Sequence, residues 1–373
     1  MGGMARLAVG GREFDVDVVD LLRPEVSPEG HESPTLLSEL WIQRPQDGIV
    51  PVVINRDGEL FRLVLEYLRT PDSLPIVSDV SQIQWLEREA KYYRLDGLTA
   101  LCRGAYKRLD TVKVMQLLNG QRNLSGMDMR GLDLSCIDFE GASLHRAQVD
   151  EARLEDAVFI AAKIRFASMV GVHAPRADFT EAQMEGVKMG CADLTKAVLT
   201  NAKLVGAKLS SATLVEAEAQ QADFTDAVLT EAKLMRAKLP SAKLIKVQAE
   251  KADLSGVEGK KADFTGAVLT EAKLVGAKLS SATLVRAEAG HADFTEAVLT
   301  DAKLEGVKLP SAILIQVEAG KADFTGAVLT EAKLVGAKLS SATLVRAEAG
   351  QADFTKAVLT DAKLEGVKLP SAI

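Results

Sequence analysis

The feature that most limits what this chain can fold into is a period of five. From Leu124 to Leu369 every fifth residue is apolar, and Gly259 is the sole exception among 50 positions. Two residues ahead of these positions stands a small side chain: 39 of the 50 are Ala and 7 are Val. The other four, Arg122, Met127, Leu132 and Ile137, all open the array. The unit reads A-(D/K/V)-(L/F)-x-x, as in Ala192-Asp193-Leu194 and Ala222-Asp223-Phe224, and its frame never slips. Such a period fits neither the roughly 3.6 residues of a helical turn nor the roughly two of a flat strand. It fits a square coil. Each unit forms one side, its central Leu or Phe points inward, and its Ala tucks behind, because two large inward groups per side would overfill a narrow bore. Four units close a coil of about twenty residues, and coils stack at the β spacing of about 4.8 Å. About 12.5 coils then make a rod about 60 Å long.

Stacking of this kind makes residues twenty apart vertical neighbours, and the charges agree. Lys203, Asp223, Lys243 and Asp263 alternate in sign, as do Lys233, Asp253, Lys273 and Asp293, and also Glu218, Lys238, Glu258 and Lys278. Rows of opposite charge hold the register against slippage. A longer repeat is overlaid. Residues 262–290 and 322–350 are identical, and 292–313 match 352–373 except that Lys356 replaces Glu296. The offset equals three coils, so duplicated side chains return to the same face.

Residues 1–106 differ in kind. Both tryptophans (Trp41, Trp85) and all four tyrosines (Tyr67, Tyr92, Tyr93, Tyr106) lie there, as expected of a conventional core that buries aromatics. MARLAVGGREF reads as a strand, a turn at Gly10-Gly11 and the start of a second strand continuing through FDVDVV. A Pro-rich loop follows (Pro24, Pro28, Pro34, Pro45), then PVVINRDG as a strand ending in a turn at Asp57-Gly58. ELFRLVLEYLR carries Leu60, Phe61, Val64, Leu65 and Leu68 at helical spacing. SQIQWLEREAKYYRLDGLTALCR reads as two more helices broken at Asp96-Gly97.

Composition narrows function. The net charge of -7, from 45 basic and 52 acidic side chains, offers no broad basic field for nucleic acid or an anionic membrane. Residues 122–373 hold 31 basic and 34 acidic groups, too even a balance for mimicry of DNA. Three widely spaced cysteines, Cys102, Cys136 and Cys191, indicate a reducing compartment. No apolar run reaches the length of a membrane span, no secretory core opens the chain, and Arg6 stands where acylation at Gly2 would need Ser or Thr. A cytoplasmic, or nuclear, location is expected.

Gly10-Gly11 reads as a hairpin turn rather than a phosphate loop. Gly256-Val257-Glu258-Gly259-Lys260-Lys261 reads as coil corner. The four histidines (His31, His145, His173, His291) share no metal-ligand spacing with the cysteines. No catalytic, cofactor or metal residues are expected, and a filled convex rod favours interaction over catalysis. Because Ile373 falls mid-unit, the last coil is expected to fray, to continue, or to stack on another rod.

The repeat array resembles the pentapeptide-repeat family, whose units form a right-handed quadrilateral β-helix. The front of the chain resembles the tetramerisation-type BTB domain of the KCTD family. The residues that carry this are Val9-Gly10-Gly11-Arg12 with Phe14, Ile54-Asn55-Arg56-Asp57-Gly58 with Phe61, Leu65, Tyr67, Leu68 and Arg69, and Glu89-Ala90 with Tyr92-Tyr93, Leu95 and Leu98. The two together are similar to the pentapeptide-repeat KCTD branch. The resemblance implies an α+β BTB domain over 1–103, a helical linker and N-terminal cap over 104–121, and an all-β β-helix over 122–373. It also implies homo-oligomers, possibly pentamers, with Arg56, Asp57 and Arg69 at the subunit interface. Many members recruit cullin-3, which makes the chain a substrate adaptor whose rod presents a client protein. The alternative is a spacer assembled by its BTB domain without a ligase.

Overall fold

The computed structural model describes residues 4–26, 32–43, 52–71, 75, 80–107 and 109–372. Within these bounds the chain divides into two units, Met1–Arg108 and Leu109–Ile373.

In the first unit β1 (Met4–Val9) pairs antiparallel with β2 (Arg12–Asp17). Gly10 turns the hairpin at φ 56°, and a Cβ there would lie 2.3 Å from the Arg56 carbonyl oxygen, so only glycine fits. FDVDVV is shorter as a strand than its alternation suggests. Asp17 accepts a hydrogen bond from the Val19 amide and caps the short helix α1 (Val18–Leu22), which removes Val18 and Val19 from the strand. The two-residue strands β3 (Glu25–Val26) and β4 (Glu32–Ser33) pair antiparallel.

The Pro-rich segment is not all loop: α2 (Leu36–Ile42) lies inside it, capped by Thr35, whose hydroxyl accepts from the Ser38 amide at 3.0 Å. Pro28 and Pro45 lie outside the described residues. β5 (Val52–Ile54) then joins β1 in parallel, giving the order β2-β1-β5.

Asp57-Gly58 is not a turn but the start of α3 (Gly58–Arg69). The Asp57 carboxylate accepts from the amides of Glu59 and Leu60 at 2.8 and 3.1 Å. α4 (Val80–Tyr92) and α5 (Asp96–Lys107) follow, and Arg94 turns the chain between them at φ 57°. Leu60, Phe61, Val64, Leu65 and Leu68 of α3 face a core shared with the sheet, Leu86, Tyr93 and Leu98. Phe61 sits at its centre, 5.1 Å from the Phe14 ring and 5.4 Å from Tyr93.

The second unit opens with α6 (Thr111–Asn119), capped by Asp110. Its buried Val114 and Leu118 join the apolar column that begins with Leu124, and the Leu109 amide donates to the Asp128 carbonyl at 2.7 Å. The helix thus covers the first coil. From there every described pairing links residue n to residue n+20 in parallel, from Asn123↔Ser143 to Glu348↔Lys368. The coil is therefore twenty residues, as the period requires. Each interior unit repeats one bonding pattern. Around Leu244, its amide donates to Asp263 at 2.7 Å, the Lys246 amide to Thr265 at 2.9 Å, and the Lys243 amide back to Ala222 at 2.9 Å. The Val247 amide closes the turn onto the Leu244 carbonyl at 3.2 Å. Phe139, Phe159 and Phe179 stack face to face at 4.6 and 4.9 Å, a direct measure of the coil rise. The Ala and Leu/Phe positions are almost all fully buried. Gly259, the lone gap in the apolar series, is no void. A Cβ there would lie 2.8 Å from Cδ2 of Leu279 one coil on, which already fills the space.

One property of the coil is absent from the composition. The last residue of every unit, at 50 positions from Gly126 to Ser371, has φ between 52° and 69°. Only 13 of these are glycine. Side chains as large as Phe166 and Arg176 accept the left-handed conformation because coil closure demands it.

Candidate interaction site

In the first unit the residues expected at a subunit interface have internal work as well. The Arg56 guanidinium grips Glu89 of α4, Nη2 to Oε1 at 2.7 Å and Nε to Oε2 at 3.1 Å, and lies 4.3 Å from the centre of the Tyr92 ring. Glu89 is nearly buried, so this fork clips the β5–α3 junction to α4 in a place where loss of the cation would strand a carboxylate. Asp57 caps α3, and Arg69 stands exposed in the last turn of that helix. The structure brings Arg56 and Asp57 together and leaves Arg69 at the opposite end of α3, roughly 17 Å along its axis. Among the described residues of this unit Val53, Ile42, Val19 and Trp85 are the large apolar side chains most open to solvent, which helical spacing alone does not reveal.

The chemistry-bearing groups are dispersed. Burial, then the nearby Glu87, pushes the Cys102 thiol up to about 12, far from a reactive thiolate. Burial likewise raises the Tyr93 hydroxyl, with Glu89 and Tyr92 adding to it. Cys136 and Cys191 are exposed corner residues. His145 meets Phe166 edge to face at 5.8 Å, and His173 Nδ1 lies 3.1 Å from Asp193. His291 is a corner residue, and His31 lies outside the described residues. Among the described residues no three His, Cys, Asp or Glu side chains converge as metal ligands, and no helix is long and apolar enough to cross a membrane.

On the rod the expected charge rows stand in register, but their aspartates serve the turn first. Asp223 Oδ1 accepts from the amide and the hydroxyl of Thr225 at 3.0 and 2.6 Å, and Asp263, Asp293 and Asp323 repeat this with the Thr two residues on. The A-D-(L/F)-T unit is therefore a self-capped turn, with Lys243 at 3.6 Å from Asp223 as a secondary contact. True ion-pair ladders belong to the glutamates. Lys238–Glu218, Lys278–Glu258 and Lys338–Glu318 close at 2.7, 2.8 and 2.7 Å on one face, and Lys308–Glu288 and Lys368–Glu348 do so half a coil away, on the opposite face.

Beside the first of these ladders runs a groove of about 790 Å³. One wall is Glu218, Lys238, Glu258 and Lys278; the other is the corner column Glu216, Arg236, Gly256 and Gly276. The buried Ala217, Ala237, Val257 and Ala277 lie between the walls in sequence. Arg236 is 77% exposed and reaches Glu216 at 3.4 Å, while nothing lies within 4 Å of a Cβ placed on Gly276. The groove deepens where the long corner side chains give way to glycine. It was missed in the sequence because the direction of corner side chains follows from their left-handed backbone.

Comparison with known proteins places both units. Residues 5–102 match the BTB/POZ domain of the potassium-channel tetramerisation type, and residues 137–370 match pentapeptide repeats in eight copies. Among solved structures the chain is similar to HetL, a pentapeptide repeat protein involved in heterocyst differentiation regulation in the cyanobacterium Nostoc sp. strain PCC 7120. The two are 26% identical over 71% of this chain and 97% of HetL, with a TM-score of 0.27. It is also similar to a pentapeptide repeat protein of the Arabidopsis thaliana thylakoid lumen, 32% identical over 29% of this chain and 69% of that one, at a TM-score of 0.22. With a twenty-residue coil, an unbroken five-residue frame and this match over more than half its length, the chain belongs to the pentapeptide-repeat family and carries a tetramerisation-type BTB/POZ domain in front of its repeats.

Proposed function

We propose that this protein is a homo-oligomeric substrate adaptor, without enzymatic activity of its own, acting in the cytoplasm or nucleus. Its BTB/POZ domain assembles the subunits, five in our reading, and recruits cullin-3, and its repeats, wound as a right-handed quadrilateral β-helix, present a client protein. The observation that carries this reading is the union of two interaction architectures in one chain, an assembly domain over 5–102 and a long regular surface over 137–370. A ring of subunits multiplies a weak client site and gains avidity. A second reading, a spacer assembled by the BTB/POZ domain without a ligase, is favoured by the identity of residues 262–290 and 322–350, since duplication lengthens a rod without adding a distinct site.

A pull-down with cullin-3 separates the two. The full chain retains cullin-3, and a chain lacking residues 1–108 does not. Failure of the full chain to bind, while light scattering still reports an oligomer, leaves the spacer.

A further inference from the structure

Because residues twenty apart stack, the rod surface is a set of vertical columns, and two columns along the groove have an unusual property. Read downward, the first runs Glu218, Lys238, Glu258, Lys278; read upward, every acid is replaced by a base. The second runs Arg176, Lys196, Glu216, Arg236, Gly256, Gly276, four long side chains followed by two glycines. Two antiparallel rods related by a two-fold axis lying across their contact face bring each column against its own reverse. Glu218 then faces Lys278, Lys238 faces Glu258, Glu216 enters the open space over Gly276 of the partner, and Arg236 comes against the corner at Gly256, which its own rod's Arg236 only flanks. We propose that this groove face is a self-recognition surface on which a second copy of the chain docks antiparallel, with the two-fold axis level with the gap between Lys238 and Glu258.

The complementarity continues beyond the groove. The same axis sets Lys196 opposite Glu296 and Val198 opposite Val298, and its one like-charge encounter among these columns is Asp178 with Glu318. The ladder pairs inside each rod do not exhaust their groups. A carboxylate accepts at two oxygens and an ammonium donates three hydrogens, so Lys238 can hold Glu218 of its own rod and a partner carboxylate together. The spacing selects the occupant. Side chains on one face of an extended peptide recur at roughly 6.6–6.8 Å and fall out of step with rungs about 4.8 Å apart, whereas a second rod keeps step along its length. This contact is separate from assembly through the BTB/POZ domain and does not rest on it.

The test uses the full chain, mixed in equal parts unlabelled and ¹⁵N-labelled, and a zero-length carbodiimide cross-linker followed by peptide mass spectrometry. Lys196 and Glu296 lie five coils apart in one chain, about 24 Å at the β spacing, so only two molecules can supply that link. The expected result is a mixed-isotope Lys196–Glu296 cross-link. Lys238→Glu should abolish it, and Lys238→Glu with Glu258→Lys should restore it, because the column then again meets its own reverse. A merely structural role predicts the opposite, since the double swap breaks both stacked pairs within each rod. Gly256→Arg with Gly276→Glu should also abolish the link without unfolding, because most corner positions carry side chains at the same φ. Absence of the mixed link in the unmodified chain, or its persistence when both glycines are filled, overturns the proposal. Light scattering on the glycine-filled chain reports BTB/POZ assembly independently: an oligomer there with the cross-link lost confirms two separate contacts.

Discussion

Replacing Leu244 by Asp tests the coil at its most loaded point. Leu244 is 1% exposed and lies in the inward column between Phe224 and Phe264, one coil to either side. Removing its side chain forfeits about 3–5 kcal/mol in transfer and cavity terms, as for other buried leucines cut to a small residue. The carboxyl adds at least about 1–3 kcal/mol, because no donor points into a column of Leu and Phe and the group must desolvate unpaired. The sum, about 4–8 kcal/mol, falls on a unit whose neighbours are joined to it by single layers of hydrogen bonds, so the loss is expected to open the flanking coils as a group. Ile245→Asp changes the next residue, which is half exposed on the outer face, and should stay within about 0.5 kcal/mol of the parent. Thermal melts followed by circular dichroism, with hydrogen exchange to localise the opening, measure both. If the two variants melt together, or if protection is lost evenly along the rod rather than around residues 224–264, the inward–outward assignment is wrong.

Three further outcomes follow from the same geometry. Ala161 holds φ 52° without the excuse of glycine, so Ala161→Gly should stabilise the rod by about 1 kcal/mol in urea titration, whereas Ala162→Gly, in the buried position beside it, should destabilise it. Gly259→Leu should cost about 1–3 kcal/mol by forcing Leu279 from the space it fills, and a neutral result would mean the bore is slack there. Acid should weaken the rod. Hydrogen bonds from Lys278 and Lys368 hold the Glu258 and Glu348 carboxyls below their ordinary value, so the stability they add is present above the ordinary range near 4.5 and is lost as pH falls through the depressed values. The melting temperature should be level from neutral pH down to about pH 5 and fall below about pH 4, and a decline confined to the neutral range would contradict the ladder assignment.

Much of this architecture could be read from residue order. The five-residue period, the coil of twenty and the burial of Ala and Leu/Phe follow from apolar spacing along the chain, because a side chain's polarity selects its face wherever the backbone repeats. The α3 helix was legible from Leu60 to Leu68 for the same reason. The helix α2 was hidden by the prolines around it, although Thr35 followed by Leu36, Leu37 and Leu40 carries a cap and a spacing that could have disclosed it. Asp57-Gly58 and Val18-Val19 were misread because a cap and a turn use the same residues, and only the packing that follows decides between them.

The order of residues determined on its own that the chain changes in kind near residue 107 and that a five-residue frame then repeats without a slip. It could not determine the corner backbone. Alanine, arginine and phenylalanine have no local preference for φ near 57°; they adopt it because each coil must return above the last, and the hydrogen bonds gained by twenty-residue closure outweigh the strain at every fifth residue. The same closure decides that Asp223 caps a turn before it pairs with a lysine, that Leu279 fills the place of Gly259, and that Arg236 stands beside two glycine corners to make a groove. Each of these depends on a neighbour that is near only after the chain has wound back on itself.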